Sequence, residues 1–493
     1  MKRSALIFAA CVGLPVSIVG AQTVRPASVL VKTGQTFTVN GSTYTVATLN
    51  TPFTNMAGEA GCVGTATGPT SLVFVWKNTT PLWTSLQLPA GTSVSNPESS
   101  IGLGDGGRFV FGPSVSDEVA ASRDAVWSDL GLVAADRMQA VGVTGLYYKA
   151  CSAMSMFGSN GIAWVSTTST TPGGSTGGRL FYRMLDEPGA VPQVVFRIGD
   201  VVFPAPDNYP IKFATPTISF KYDISDNGLH HIHSIGLETG ATTNDGYIYL
   251  DGVPIQREGN STGSPFGQIW GSFSQVAVNN SGQYLVYGLA VGSANSDATI
   301  NVNGAGVILE QDTYAGIDLV TPANVQGVSL NNNGVAAFVW GYGPDIDPNT
   351  SGTQQAKTVF IAANVNDFAN TGAVVATIGD QIDVNNDGVA DATINDIITD
   401  SLTSAGLDLA DDGRIALRLK LTDTGSTTAY EAIVMLDLPL GCPADWDGSG
   451  GVDGDDVIAF FGEWDNGSGD YNGDGGTDGD DVIAFFADWD AGC

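Results

Sequence analysis

Positive charge is scarce in this 493-residue chain: 19 Lys and Arg stand against 51 Asp and Glu, a formal net charge of −32. Such a surface repels phosphate backbones and anionic lipid, which excludes nucleic-acid binding. Charge of either sign is sparse, 14% of residues against 43% hydrophobic, so the chain can bury a core and is not a disordered polyelectrolyte. Histidine occurs three times, all within LHHIHS (229–234), so any catalytic triad must borrow from that one cluster. Long apolar runs are missing after the first twenty residues; nothing later approaches the roughly 18 residues of a membrane span. Cysteine is rare too, with five in all.

What is present begins with an export signal. Lys2 and Arg3 precede the apolar stretch Ala5 to Val19, and Val19-Gly20-Ala21 offers small residues for cleavage before Gln22. Residues 1–21 are therefore expected to be a signal peptide, and the mature protein secreted or held at the cell surface. Cys11 leaves with the signal, and the remaining Cys62, Cys151, Cys442 and Cys493 are expected to form disulfides. Four cysteines allow three pairings. Position favours Cys442 with Cys493 and Cys62 with Cys151.

The strongest pattern is a duplication at the C-terminus. Residues 445–456 read DWDGSGGVDGDD and residues 470–481 read DYNGDGGTDGDD, followed by VIAFFGEWD and VIAFFADWD. Counting from the first Asp, oxygen donors fall at positions 1, 3, 5, 9 and 12, with Gly at 6 and a backbone carbonyl at 7, the spacing of an EF-hand calcium loop. The expected ligands are Asp445, Asp447, Ser449, Gly451, Asp453 and Asp456 in the first loop, and Asp470, Asn472, Asp474, Gly476, Asp478 and Asp481 in the second. Hard oxygen donors without His or Cys in the loops favour Ca2+ over zinc. With no Lys or Arg from 442 to 493, the carboxylates repel one another until a cation binds, so folding should be linked to metal. Val457, Phe460, Phe461 and Trp464, and again Val482, Phe485, Phe486 and Trp489, recur at i, i+3, i+4, i+7 and predict two short helices packed face to face.

This segment resembles a dockerin module. Gly441-Cys442-Pro443 and the terminal Gly492-Cys493 are similar to the GC-type variant that ends secreted bacterial proteins. The resemblance implies two calcium sites and a cohesin-like or other surface protein as partner for residues 442–493. Cellulosomal dockerins choose partners through a Ser-Thr-like pair at loop positions 10 and 11. Here those positions are Gly454-Asp455 and Gly479-Asp480, a departure from that pattern.

Residues 22–438 carry a looser period. An Asn/Asp-Gly turn precedes a short apolar stretch at Gly58, Gly107, Gly161, Gly228, Gly282, Gly334 and Gly413. Such turns between apolar runs signal hairpins. With further strands such as LVFVW (72–76) and TVFIAA (358–363), the repeat predicts a mainly β body, a propeller of six or seven blades. A run of β-sandwich modules is the alternative. NNNGVAAF (331–338) resembles the NxxGxxAF tandem-repeat proteins, exported bacterial chains that end in one of several alternative anchors. That resemblance implies no defined activity.

Weaker patterns are scattered through the body. DVNNDGVAD (383–391) places Asp383, Asn385, Asp387 and Asp391 at calcium-loop positions, with Ile394 at position 12 and Asp396 as the nearest replacement. His231 and His233 would share one face of a strand, a spacing that suits zinc but is more often structural. GGSTG (173–177), GNSTG (259–263) and GLGDGG (102–107) match nucleophile-elbow and dinucleotide patterns without the helix each requires. Trp76, Trp83, Trp164, Trp270 and Trp340 lie in apolar stretches and read as core, with sugar stacking the alternative.

The sequence thus predicts a signal peptide (1–21), a β repeat body (22–438) and an α-helical calcium-binding module (439–493). The favoured role is a non-catalytic surface or extracellular repeat protein attached through the module. The alternatives are a polysaccharide-degrading glycoside hydrolase, and a carbohydrate-binding protein carrying the same anchor.

Overall fold

The computed structural model describes residues 25–95, 97, 101–174, 178–197, 199–201, 208–211, 222–241, 243–264, 267–291, 297–309, 312–319, 324–342, 356–385, 387–399, 406–438, 444, 446, 454–471 and 476–491. Residues 1–24, which include the expected signal peptide, lie outside them. Among the described residues, seven sheets of four or more strands follow one another along the body. The simplest are meanders, such as Asn324–Leu330, Ala336–Tyr342, Ala356–Ala362 and Gly372–Thr377 in the sixth.

Seven hydrophobic cores lie between successive sheets, and they form a cycle. Val63, Val73 and Val75 of the first sheet meet Phe109 and Phe111 of the second. The series continues sheet by sheet to the core that joins the seventh sheet to the first, where Ile433 and Met435 meet Phe74 and Trp76. The body is a seven-bladed β-propeller, within the predicted range.

Strand periodicity explains the apolar runs. In Ala336–Tyr342 the residues Ala336, Phe338 and Trp340 face the fifth blade, while Ala337 and Val339 face the seventh. Both faces of this strand are covered, so successive positions from Ala336 to Trp340 are apolar and the alternation expected of a half-exposed strand disappears.

Arg25–Lys32 closes the ring. It forms the outer strand of the seventh blade, antiparallel to Ala429–Asp437, with Ala27 opposite Leu436 and Lys32 opposite Ala432. At its start it also runs parallel to Gln381–Asp383, with Pro26 opposite Asp383. Gln381–Asp383 pairs in turn with Ala392–Ile397, which pairs with Arg414–Asp423, so the last sheet curls until it closes on itself.

The predicted turn glycines join the innermost strand of each blade to the second. Gly58, Gly107, Gly228, Gly282, Gly334 and Gly413 have φ between 69° and 89°, where a Cβ is disfavoured. The third blade departs from the expectation: Gly161 opens the strand Gly161–Ser169, and Gly158 takes the positive φ.

These turns are also linked to one another. Asn55 Nδ2 donates to Gly104 O at 3.3 Å, Asn279 Nδ2 to Asn331 O at 3.1 Å, and Asn331 Nδ2 to Ala410 O at 3.0 Å. Arg108 reaches Asp186 O, Gly158 N reaches Asp226 O, Asn227 N reaches Asn280 Oδ1, and Arg414 reaches Gly58 O. Every joint between neighbouring blades carries one of these bonds, and each donor faces the following blade. This accounts for the Asn of the repeat. Asn331 Oδ1 also accepts from the backbone N–H of Asn333 and Val335, so one buried amide holds its own turn and the next blade. Asn331→Ala is expected to cost about 2–4 kcal/mol, because Val335 N–H and Ala410 C=O lose their side-chain partner in a dry place. Denaturant unfolding measures this, and a loss under about 1 kcal/mol would show the belt to be incidental.

The expected Cys62–Cys151 disulfide does not form. Cys62 packs beside Phe74 and Trp76 between the seventh and first blades, whereas Cys151 packs beside Trp164 between the second and third. Alternation in two different sheets sends the two thiols into separate cores. Burial pushes the Cys62 thiol up to about 12, so it stays protonated and unreactive. Cys442 and Cys493 lie outside the described residues.

Candidate metal centres and the central channel

The two predicted helices are present as Gly454–Trp464 and Gly479–Ala491. Each opens on two acids, Asp455 and Asp456 or Asp480 and Asp481, where the helix dipole favours negative charge. The predicted apolar faces meet: the Phe460 and Phe485 rings stack 4.3 Å apart with 3° between their planes. Ala444, Phe460 and Phe485 are fully buried, and Val457, Phe461, Trp464, Val482, Phe486 and Trp489 pack around them with Trp446 and Tyr471.

Asp456 and Asp481, the position-12 residues, are both fully buried. Asp481 Oδ1 accepts from Tyr471 N at 2.8 Å and its Oδ2 from Asp478 N at 2.7 Å, which ties the start of the second loop to its end. Trp464 Nε1 donates to Asp478 O at 2.9 Å, joining the first helix to the second loop. Asp470 and Gly476 are described as well. Asp445, Asp447, Ser449, Gly451, Asp453, Asn472 and Asp474 lie outside the described residues.

The third acidic loop connects two strands of the closing sheet. Asp383 is buried at the end of Gln381–Asp383 and accepts from the N–H groups of Asn385, Asp387 and Gly388. Asp391 Oδ2 accepts from Val384 N and Asn385 N, which brings both ends of the loop together. Carboxylate oxygens of Asp383, Asp387 and Asp391 lie within 4.8 Å of one another, an all-oxygen set suited to a hard divalent cation. Asn385 faces the same group, its amide donating to Asp391 Oδ1 at 3.2 Å. Position 12 does not contribute: Ile394 is in the core. Asp396, the expected replacement, is ion-paired with Lys357 Nζ at 2.9 Å.

The histidines are structural. His230 Nδ1 and His231 Nδ1 both meet the carboxylate of Asp251, at 2.7 and 3.1 Å. His233 is buried edge-on against Phe181 at 4.8 Å, and burial holds its pKa well below the usual value, leaving it neutral. Among the described residues no group of three metal-ligating side chains includes a histidine. In the GNSTG match a strand, Ile269–Val278, follows instead of a helix, and in GLGDGG the strand Phe109–Phe111 does. All five tryptophans named above are buried, which removes them as sugar-stacking platforms.

The sequence reading missed the central channel. The innermost strands of all seven blades line a cavity of about 180 Å³, and among the described residues its charged lining consists of Asp223, Asp226, Asp408 and Asp411. Burial raises the Asp223 carboxyl to about 7, although the N–H groups of Ile224 and Val278 favour its ionised form. Burial likewise raises Asp408 to about 6, against hydrogen bonds from Thr54 and Ser329. The signal was present in the repeat. YDISDNG (222–228) and LDLADDG (407–413) place an Asp five residues before the turn glycine in two blades, and a second Asp two residues before it.

No family model matches the chain, and no curated protein matches it. Solved structures do. The propeller domain of the Trilobed protease from Pyrococcus furiosus aligns with 78% of this chain and 93% of its own, at 10% identity and a TM-score of 0.39. The WD40 domain of SCAP from fission yeast aligns with 84% of this chain and 98% of its own, at 8% identity and a TM-score of 0.31. An exo-β-1,3-galactanase from Clostridium thermocellum aligns with 80% and 97%, at 11% identity and a TM-score of 0.25. Scores this low carry no functional argument. Among the described residues no helix is long and apolar enough to cross a membrane.

Proposed function

We propose that this chain is an exported, non-catalytic propeller attached to a surface partner through a calcium-dependent, dockerin-like C-terminal module. The observation that carries the reading is the exposure of the same apolar residue on both copies of the duplicated helix. Ile458 is 72% exposed and Ile483 is 70% exposed, although each follows a half-buried valine in the same VIAFF sequence. Large apolar side chains so exposed on a small acidic module suit a protein partner better than water. Calcium in the two loops would neutralise the buried Asp456 and Asp481 and hold the helices in the orientation that presents these isoleucines. A third calcium ion at Asp383, Asn385, Asp387 and Asp391 would stiffen the closing sheet. The partner is a cohesin-like or other surface protein, and the propeller is the cargo.

The test uses the full chain as bait against the producing cell's envelope proteins, with calcium and again with a chelator. Capture of one identified partner is expected with calcium only, and is expected to be lost in an Ile458→Asp/Ile483→Asp double variant whose helices remain folded. Equal capture in chelator, or by the double variant, would overturn the docking role.

A further inference from the structure

The channel wall is jointed by carboxylates. Asp408 of the seventh blade touches both neighbours: its Oδ2 accepts from Thr54 N and Thr54 Oγ1 of the first blade at 2.9 and 3.1 Å, and its Oδ1 accepts from Ser329 Oγ of the sixth at 2.9 Å. Asp223 of the fourth blade accepts from Val278 N of the fifth at 2.9 Å, and from its own neighbour Ile224 N at 2.9 Å. Three blade joints thus pass through these two side chains, and one of them is the joint between the seventh and first blades, where Leu30 and Val31 of the closing strand are buried.

We propose that Asp223 and Asp408 act together as a proton-operated charge switch in the channel wall, neutral in mildly acidic surroundings and doubly anionic in mildly alkaline ones, and that the ring loosens as they ionise. The charged groups facing them point one way. Asp226 acts on both, and Asp105 and Asp411 act on Asp226, while Asp408 acts on Asp223. Among the described residues no Lys, Arg or His lines the cavity, and the first, second, third, fifth and sixth blades contribute only uncharged residues to it. Each ionisation therefore adds a negative charge to a confined, already negative space with no counter-charge.

The joints respond differently to a proton. Ser329 meets Asp408 Oδ1 through a hydroxyl, which accepts as readily as it donates, and Thr54 meets Oδ2 through both its hydroxyl and its backbone N–H, so an acid protonated at Oδ1 keeps its links to both neighbours. Asp223 is met by backbone N–H groups that only donate, so its proton turns into the cavity and the wall gains a hydrogen-bond donor there. The direction for stability follows from the values of about 7 and about 6, both above the ordinary 3.8 of an unfolded aspartate. Between those limits the folded chain binds protons that the unfolded chain has released. The contribution is complete below pH 3.8 and is lost as pH rises through about 6 and 7.

The experiment is a carbon-13 titration of the aspartate carboxyls in the full-length protein at constant calcium, from about pH 4 to about pH 9. Two carboxyl carbons are expected to titrate near pH 6 and near pH 7, and the Asp408→Asn variant is expected to lower the Asp223 midpoint by several tenths of a unit. In parallel, the thermal midpoint of the wild type is expected to fall across the same window, with a shallower fall in Asp223→Asn. If every aspartate titrates below about pH 5, the switch does not exist. An unmoved Asp223 midpoint in Asp408→Asn, or equal slopes in wild type and Asp223→Asn, would reject the joint action. The wild-type titration decides the matter even where a variant does not fold.

Discussion

Replacing Phe485 by Ala is expected to unfold residues 444–491 while leaving the propeller intact. Among the described residues the module's core has three fully buried apolar side chains, and two of them are the stacked rings of Phe460 and Phe485. Removing a buried phenylalanine costs about 3–5 kcal/mol, the transfer free energy of the ring plus the cavity it leaves. A segment this short has about 3–5 kcal/mol of core stabilisation in total, so the loss matches the whole reserve. Asp481 sits fully buried one turn before Phe485, and it loses its shelter with the ring. Among the described residues the seven cores of the body share no residue with this one. Hydrogen exchange reads the outcome directly. Amides of Gly454–Trp464 and Gly479–Ala491 should exchange at unfolded rates, while those of Ala336–Tyr342 stay protected. Protection retained in both helices would mean that the loops, not the aromatic stack, hold the module together.

The second large effect concerns ring closure. A chain that begins at residue 33 lacks the strand Arg25–Lys32 and is expected to lose cooperative unfolding of the body. Leu30 and Val31 are buried in the core that joins the seventh blade to the first, and their burial alone is worth about 3–6 kcal/mol. The deletion also bares the edge of Ala429–Asp437, a strand whose residues Ala432 to Leu436 are all buried in the intact protein. A long apolar edge is a template for pairing with other chains, so the truncated protein should associate. Adding the missing strand as a peptide should restore a monomer in proportion to its concentration. Denaturant unfolding and size-exclusion chromatography test both halves. A truncated monomer with the wild-type midpoint would show that the first and seventh blades hold together without the strand.

Some of this was legible in the residues and some was not. The turn glycines were readable because Asn/Asp-Gly before an apolar run is a local signal, and six of the seven named glycines are the positive-φ residues of the blade turns. The third blade misled because Gly158-Ser159-Asn160-Gly161 offers two glycines, and only packing selects the first. The amphipathic helices were readable because their face is set within one turn: Phe460 and Phe485 are the buried residues of the predicted stripes. The Cys62–Cys151 pairing failed because parity of cysteines says nothing about which face of which sheet each one takes. Asp223 and Asp408 were not found because burial in the channel depends on seven strands separated by nearly the whole chain. Only superposing the repeats on their turn glycines brings the two residues to the same position.

The register of the closing strand has a mechanical consequence. Ala27 lies opposite Leu436, so the first and last strands of the body start and finish side by side at one end of the pair. Tension applied between the two chain ends would load the hydrogen bonds one after another, peeling the strands apart like a zip rather than shearing all of them at once. A protein held at its C-terminus and pulled at its N-terminus would open at low force. Held by the C-terminal module alone, with drag spread over the blades, it carries no tension across that seam.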